Sequence, residues 1–305
     1  MRIGIDLGGT KIEAIAFGDD GEVLFRDRVA TPQEDYSGIL QVIAELVVRL
    51  ERELGRQGTV GIGMPGAISP ATGLVKNSNS VCLNGQRFDC DLEQLLRRPL
   101  RIANDANCFA LSEATDGAAA GAEVVFGVIL GTGTGGGVAV RGAILAGANA
   151  IAGEWGHNPL PWPHPEELPG PPCYCGKSGC IETYLSEPGL ARDFRAAGGR
   201  SISALEIGAQ AERGDEYADA VLARYEDRLA RGLASVINIL DPDVIVVGGG
   251  LSNIKRLYTE VPRLWSQYVF SDRVATRLVQ ARFGDSSGVR GAAWLWPRED
   301  LPLCS

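Results

Sequence analysis

Three glycine clusters, each closing an apolar run, constrain the fold more than any other feature of the chain. Residues 2–7 (RIGIDL) end at Gly8 and Gly9. Residues 124–130 (VVFGVIL) end at the run GTGTGGG over 131–137, and residues 244–247 (VIVV) end at Gly248, Gly249 and Gly250. Glycine loses more backbone entropy on folding than any other residue. Three clusters at three strand ends therefore need a reason beyond turning the chain. Glycine permits positive φ and close approach of another group, and successive amide N–H groups at such a turn form an anion-binding nest. No G-x-x-x-x-G-K-[ST] motif is present. A dinucleotide fingerprint is also absent, because Gly8 and Gly9 lead into a strand and not a helix.

Residues 2–7, 11–17 and 22–29 read as three strands, with a turn at Gly18-Asp19-Asp20-Gly21. A helical period follows over 36–54, with Ile39, Val42, Ile43, Leu46, Val47 and Leu50 on one face. Strands at 60–64 and 101–103 and a helix over 105–118 complete a first cycle. A second begins near residue 123, with strands at 124–130, 138–141 and 143–145, a long helix over 216–240 and a buried strand at 244–247. Helices within 257–268 and 287–296 end the chain, where Trp294 and Trp296 beside Ala292, Ala293 and Leu295 fit a docking helix end. Alternating strands and helices give an α/β class. The repeated order predicts two similar lobes facing each other, each with a glycine turn at a cleft. The boundaries expected are 1–118 joined by a C-terminal helix 287–305, and 119–286. The proline-rich stretch 159–172 is an excursion leading into a cysteine cluster.

Lys and Arg number 29 against 38 Asp and Glu, a formal net charge of −9. That balance argues against a nucleic-acid binder or a protein drawn to anionic membranes. It leaves room for a nucleotide, whose phosphates backbone amides and Mg²⁺ can hold inside an acidic protein. No run approaches the ~18 apolar residues of a membrane span, and Asp6 interrupts what would be the core of a signal peptide; a cytoplasmic protein is expected. At the first turn, Thr10 and Lys11 add a hydroxyl and a charge. Asp6 would repel phosphate directly and so suits Mg²⁺ held through water. A tight hairpin with a surface lysine explains that one turn equally well. Asn104-Asp105-Ala106-Asn107 follows a strand and opens a helix, where Asn or Asp is also an ordinary cap. Of seven cysteines, Cys82, Cys90, Cys108 and Cys304 are scattered, while Cys173, Cys175 and Cys180 fall within eight residues. An odd count in a reducing compartment favours a metal over disulfides. Structural Zn²⁺ needs a fourth ligand, and spacing alone does not choose between His157 and His164.

On these residues the chain resembles, over essentially its whole length, the ROK sugar kinases of the actin/hexokinase/heat-shock-70 ATPase superfamily. The resemblance implies a two-lobed actin/hexokinase-like (ribonuclease H-like) α/β fold with ATP in the cleft between lobes. Gly4, Asp6, Gly8, Gly9, Thr10 and Lys11 would form the first ATP-binding segment, with Asp6 on Mg²⁺. Gly131, Thr132, Gly133, Gly135 and Gly136 would form the second, and Gly248, Gly249 and Gly250 the adenosine motif. Residues 126–156 look like the family signature. Asp105 matches the catalytic Asp, and Asn104 the residue that binds a sugar hydroxyl. Glu154-Trp155-Gly156-His157 matches an E-x-G-H motif whose His157 joins Cys173, Cys175 and Cys180 in a closed, structural Zn²⁺ site within the loop 157–180. Asn79, Glu154, His157 and Glu182 would meet the sugar.

Residues 153–162, 172–185, 238–253 and 284–297 look closer to the bacterial fructokinase/mannokinase branch. The activity this implies is ATP-dependent phosphorylation of a hexose 6-hydroxyl, with fructose first and mannose second. Glucose or N-acetylglucosamine is the alternative sugar. A sugar-responsive regulator is the reading of a different class; the first strand, starting at Arg2, leaves no room for a helix-turn-helix ahead of it. Hexose and ATP are the expected partners, with no nucleic acid and no membrane, and the family suggests a homodimer.

Overall fold

The computed structural model describes residues 1–296; Cys304 and the end of the expected helix 287–305 lie outside the described residues. In chain order the elements are β1 (Arg2–Leu7), β2 (Lys11–Phe17), β3 (Val23–Ala30), α1 (Tyr36–Leu54), β4 (Thr59–Met64), β5 (Ala67–Ile68) and β6 (Val75–Lys76). Then come α2 (Phe88–Leu96), β7 (Leu100–Asn104), α3 (Asp105–Thr115), β8 (Val124–Leu130), β9 (Thr134–Val140) and β10 (Ala143–Ile144). The remainder is α4 (Ile181–Leu185), α5 (Glu187–Ala196), α6 (Ala204–Glu212), α7 (Glu216–Leu240), β11 (Val244–Gly248), α8 (Leu257–Trp265), β12 (Arg277–Gln280) and α9 (Ser287–Trp294). Among the described residues no helix is long and apolar enough to cross a membrane.

The chain divides into two compact units. Among the described residues, the first comprises Met1–Asp116, Gly142–Ala152 and residues 286–296; the second comprises Gly117–Arg141 and Gly153–Asp285. The first unit carries a sheet in the order β3-β2-β1-β4-β7. β1 runs antiparallel to β2 and parallel to β4, and β4 runs parallel to β7. The second carries β9-β8-β11-β12 with the same senses: β8 is antiparallel to β9 and parallel to β11, which is parallel to β12. The internal repeat anticipated from the sequence is thus a repeat of strand order and direction.

In the first unit α1 is set by Asp35, whose carboxylate accepts the Gly38 N–H at 2.9 Å, and is stopped by Gly55 at φ 68°. Ile39, Ile43, Leu46, Val47 and Leu50 are buried on the core of β1, β2 and β4. Each such side chain contributes about 1.5–3 kcal/mol when fully buried. On the other side of the sheet α9 sits unusually close. A Cβ on Gly4 would lie 2.8 Å from the Ala293 nitrogen, one on Gly61 would collide with the Ala292 carbonyl, and one on Gly291 with the Cys108 carbonyl. These glycines let α9 rest almost backbone to backbone on β1, β4 and α3. Trp294 stacks on Phe17 with ring centres 5.3 Å apart, and Trp296 Nε1 donates to the Val60 carbonyl at 2.8 Å. Both tryptophans fasten a docked helix, as their spacing indicated.

In the second unit Asp215 caps α7 by accepting the Ala218 N–H at 2.9 Å. Behind α7 lies a buried ion cluster. Arg231 donates to both oxygens of Glu167 at 2.8 and 2.9 Å, and Arg228 Nε to one of them at 2.7 Å. That cluster pins the proline-rich excursion to α7.

The structure departs from the sequence reading in several places. The glycine run 131–137 is a turn only over its first three residues. Thr134 already belongs to β9, and Gly135, Gly136 and Gly137 pair with Ile129, Val128 and Gly127. α3 ends at Thr115 and not at 118. α2, the short helices α4, α5 and α6, and β12 were not foreseen.

Candidate active site

In the first unit, the carboxyl ends of three adjacent parallel strands supply the polar groups, the usual ligand-binding end of such a sheet. Asp6 on β1 is in register with Gly63 on β4, and Met64 with Asn104 on β7. Asn104 ends its strand and caps α3. Its Oδ1 accepts the Ala106 N–H at 2.9 Å, while its Nδ2 donates to the Gly66 carbonyl at 3.1 Å. Capping is therefore a real task of Asn104, whatever else it binds. Asp105 is the first helical residue and is half-buried, with its Oδ1 accepting the same N–H at 2.8 Å. Asn79 lies on an exposed loop beside Ser78, whose N–H is held by Asn84 Oδ1 at 2.9 Å.

Burial raises the Asp6 carboxyl to about 7, and the neighbouring charges of Asp105 and Glu13 push it the same way; Lys11 and Arg28 oppose them. Two neighbouring carboxylates, Asp6 on β1 and Asp105 at the start of α3, fit a hard dication, which Mg²⁺ satisfies with one or two protein carboxylates plus waters and phosphate oxygens. The sequence reading missed Glu13. It is buried on β2, accepts from Arg26 and Arg28 at 2.6 and 2.8 Å, and shapes the field around Asp6.

The first glycine turn is a β1–β2 hairpin. Gly8 N–H donates to the Lys11 carbonyl at 3.0 Å, and the Thr31 hydroxyl donates to the Gly8 carbonyl at 2.7 Å. Neither Gly8 nor Gly9 takes a positive φ; of the glycines assigned to ATP only Gly249 does, at 81°. What Gly9 offers is space, since a Cβ there would meet nothing within 4 Å, and the same holds for Gly131. Two other expectations need correction. Gly4 is buried beneath α9, and Gly136 beneath Trp155, whose Cδ1 would lie 2.8 Å from a Cβ at that position. Packing accounts for both glycines. Gly135 lies in β9 and accepts the Trp155 Nε1–H on its carbonyl at 3.0 Å.

In the second unit the E-x-G-H segment is anchored by Trp155, edge-on to Phe126 at 5.8 Å. Gly156 is required there because any side chain would collide with the Thr134 carbonyl. His157, Cys173, Cys175 and Cys180 come together with one donor atom each, all within 4.8 Å of one another. Gly176 and Gly179, at φ 86° and 72°, fold the loop between the cysteines, and Ile181 N–H donates to the Asn158 carbonyl at 2.9 Å, tying Cys180 to the histidine segment. Cys173 Sγ is 3.6 Å from His157 Nδ1, and Cys175 Sγ is 3.6 Å from Cys180 Sγ. Tetrahedral zinc with Zn–S ~2.3 Å and Zn–N ~2.1 Å sets such pairs roughly 3.6–3.8 Å apart. The donor set therefore fits zinc, and it leaves His164 outside. His157 Nε2 points the other way, 2.9 Å from the Tyr174 hydroxyl.

Glu182, two residues past Cys180, accepts the Thr134 N–H at 2.9 Å, so it braces the second glycine turn as well as flanking the zinc loop. Glu154 is exposed at the start of the same segment. Gly248 ends β11 in the core, Gly249 lies against the Leu130 backbone, and Gly250 against Glu187, a residue the sequence reading passed over.

The chain is 42% identical over 299 residues to an N-acetyl-D-glucosamine kinase of Yersinia pseudotuberculosis, an alignment covering 97% of this chain and 98% of that one. A similarly named protein of Vibrio cholerae is 40% identical, covering 97% and 99%. Among solved structures, a ROK hexokinase from Thermus thermophilus superposes with a TM-score of 0.84 at 33% identity, covering 96% of this chain and 97% of that one. Repeated sheet order, glycine turns and these likenesses define an ATP-dependent sugar kinase of the actin-like ATPase fold. The ROK family's model matches residues 2–299, and the chain belongs to the ROK family. The fructokinase/mannokinase leaning is corrected by these relatives, which are named for N-acetylglucosamine.

Proposed function

We propose that the protein transfers the γ-phosphoryl group of ATP to the 6-hydroxyl of N-acetylglucosamine. The observation that carries this reading is the 42% identity, along nearly the full length of both chains, to a kinase named for that sugar. Fructose, the first expectation, has no comparable support.

The residues supply the chemistry as follows. A free Asp, with a pKa of ~3.9, is a weak base for an alcohol. Phosphoryl transfer has a loose transition state, however, so the hydroxyl gives up its proton late and needs mainly orientation. Asp105, fixed at the first turn of α3 by the Ala106 N–H, orients the 6-hydroxyl and takes its proton as the oxygen bonds to phosphorus and ADP departs. Asn104 and Asn79 hold neighbouring hydroxyls. Glu154, Glu182 and the zinc-distal nitrogen of His157 accept or donate to the rest; a carboxylate accepts two hydroxyls in fixed directions. The open turns at Gly9 and Gly131 receive phosphate, with Thr10, Lys11, Thr132 and Gly133 beside them. Asp6 would hold Mg²⁺ through water, and the ion would supply neutralisation of phosphate charge. His157, Cys173, Cys175 and Cys180 would hold zinc with all four positions filled, which would make it structural and closed to substrate. Reduced thiolates and ATP both belong to the cytoplasm, which this reading gives as the location.

The test is ADP release with N-acetylglucosamine, glucose, mannose and fructose, with and without Mg²⁺. The highest kcat/KM on N-acetylglucosamine supports the reading; a higher value on fructose restores the discarded one.

A further inference from the structure

Glu187 opens α5 directly after its cap, Ser186, and lies against two of the glycine turns in the second unit. Its N–H donates to the Gly131 carbonyl at 2.7 Å. A side chain on Gly250 would collide with Glu187 Oε1, so the carboxylate occupies the space that Gly250 leaves. It thus stands between the turn that follows β8 and the turn that follows β11. The residue is half-buried, and among the described residues no hydrogen bond or ion pair reaches its carboxylate. The carboxylate is thus left open to the hydroxyl donors of a ligand.

We propose that Glu187 binds the two vicinal hydroxyls of the nucleotide's ribose. This rests on the ATP reading above and deepens it. Like charge excludes phosphate from contact with the carboxylate. Ribose is the uncharged group joined directly to the phosphates, so it falls one step from the turn at Gly131, where the peptide of Glu187 is anchored. Two carboxylate oxygens match two adjacent hydroxyls, and an acid on ribose hydroxyls is the solution dinucleotide-binding folds also use. The assignment gives the glycine at 250 a use: a Cβ there would push the acid from this position.

The test compares ATP, 2′-deoxy-ATP and 3′-deoxy-ATP at saturating sugar in the wild type, Glu187→Ala and Glu187→Gln. Hydrogen bonds to a charged group predict a KM about tenfold higher for each deoxynucleotide in the wild type. In Glu187→Ala the KM for ATP rises about tenfold to meet the deoxynucleotide value, which does not change, and the split falls on KM and not kcat. Glu187→Gln retains part of the discrimination. Zinc content and thermal unfolding establish that each variant is folded, and the wild-type comparison stands without any variant. A wild type indifferent to both hydroxyls, or a Glu187→Ala enzyme that still discriminates, overturns the assignment. Discrimination of ATP from inosine triphosphate alone would move the acid to the purine amino group and overturn it too. If no sugar is phosphorylated at all, the kinase reading fails; calorimetric titration with ADP and 2′-deoxy-ADP then still decides the ribose contact.

Discussion

Cys173 Sγ and His157 Nδ1 lie 3.6 Å apart, the separation of two ligands sharing one tetrahedral zinc. Burial, then hydrogen bonding with Cys175 and Cys173, raises the Cys180 thiol to about 12, while the Lys177 backbone N–H holds Cys175 lower. A cluster of this kind gains from a bound cation. Elemental analysis is expected to find one zinc per chain. Cys175→Ser is expected to lose most of it and to raise the sugar KM at least about tenfold, as loss of a metal ligand's partners does elsewhere. Full zinc with full activity in that variant contradicts the account.

The glycines under α9 give a stability prediction. Gly291 faces the Cys108 carbonyl so closely that a methyl group must push the helix away. Overpacking of this kind costs about 1–3 kcal/mol. Gly291→Ala should therefore lower Tm by several degrees, while Gly55→Ala tests the separate effect of a left-handed φ of 68° at an open helix end. An unshifted Tm in Gly291→Ala removes the close-packing argument.

Glu167 gives a pH dependence. Burial would raise its carboxyl, but hydrogen bonds from Arg231, Arg228 and the His164 N–H outweigh it and bring it from 4.5 to about 2. A carboxyl lowered on folding stabilises above its unfolded value and loses that contribution as pH falls through the folded one. The window is therefore about pH 4.5 down to 2. The linkage is about 3 kcal/mol, of which about 2 is gone by pH 3. Urea unfolding at pH 6 and pH 3 should show this loss in the wild type and a flatter profile in Glu167→Gln. Equal pH dependence in both would show that the cluster does not behave as described.

The two open turns separate ligand contact from folding. A Cβ at Gly9 or Gly131 meets nothing in the protein. Gly9→Ala and Gly131→Ala should unfold within a few degrees of wild type yet raise the KM for ATP several-fold. Unchanged ATP kinetics would mean that phosphate does not approach these turns.

Much of this was legible in the chain itself. Apolar runs ending in glycine located β1, β8 and β11, and the face Ile39, Val42, Ile43, Leu46, Val47 and Leu50 located α1, with Val42 only partly buried. The repeat of element order anticipated the matching sheets. What failed was the meaning of individual glycines. Gly4 and Gly136 sit in strands and are small because α9 and Trp155 press on them, a cause that lies far away in sequence. Gly135–Gly137 looked like loop because glycine weakens strands locally; pairing to β8 overrides that preference. α4, at five residues, is too short to show a period. His157 was preferred over His164 only by family likeness, since nothing in the spacing brings a histidine to three cysteines. Glu13 and Glu187 carried no motif; only the fold sets one beside Asp6 and the other beside Gly250.

The most direct test of the central claim is the turnover of Asp105→Asn with N-acetylglucosamine and ATP, measured alongside sugar binding by calorimetry. Loss of the base predicts a kcat lower by at least about 100-fold with sugar affinity within a few-fold of wild type. Turnover close to wild type would remove Asp105 from the chemistry and with it the proposed mechanism.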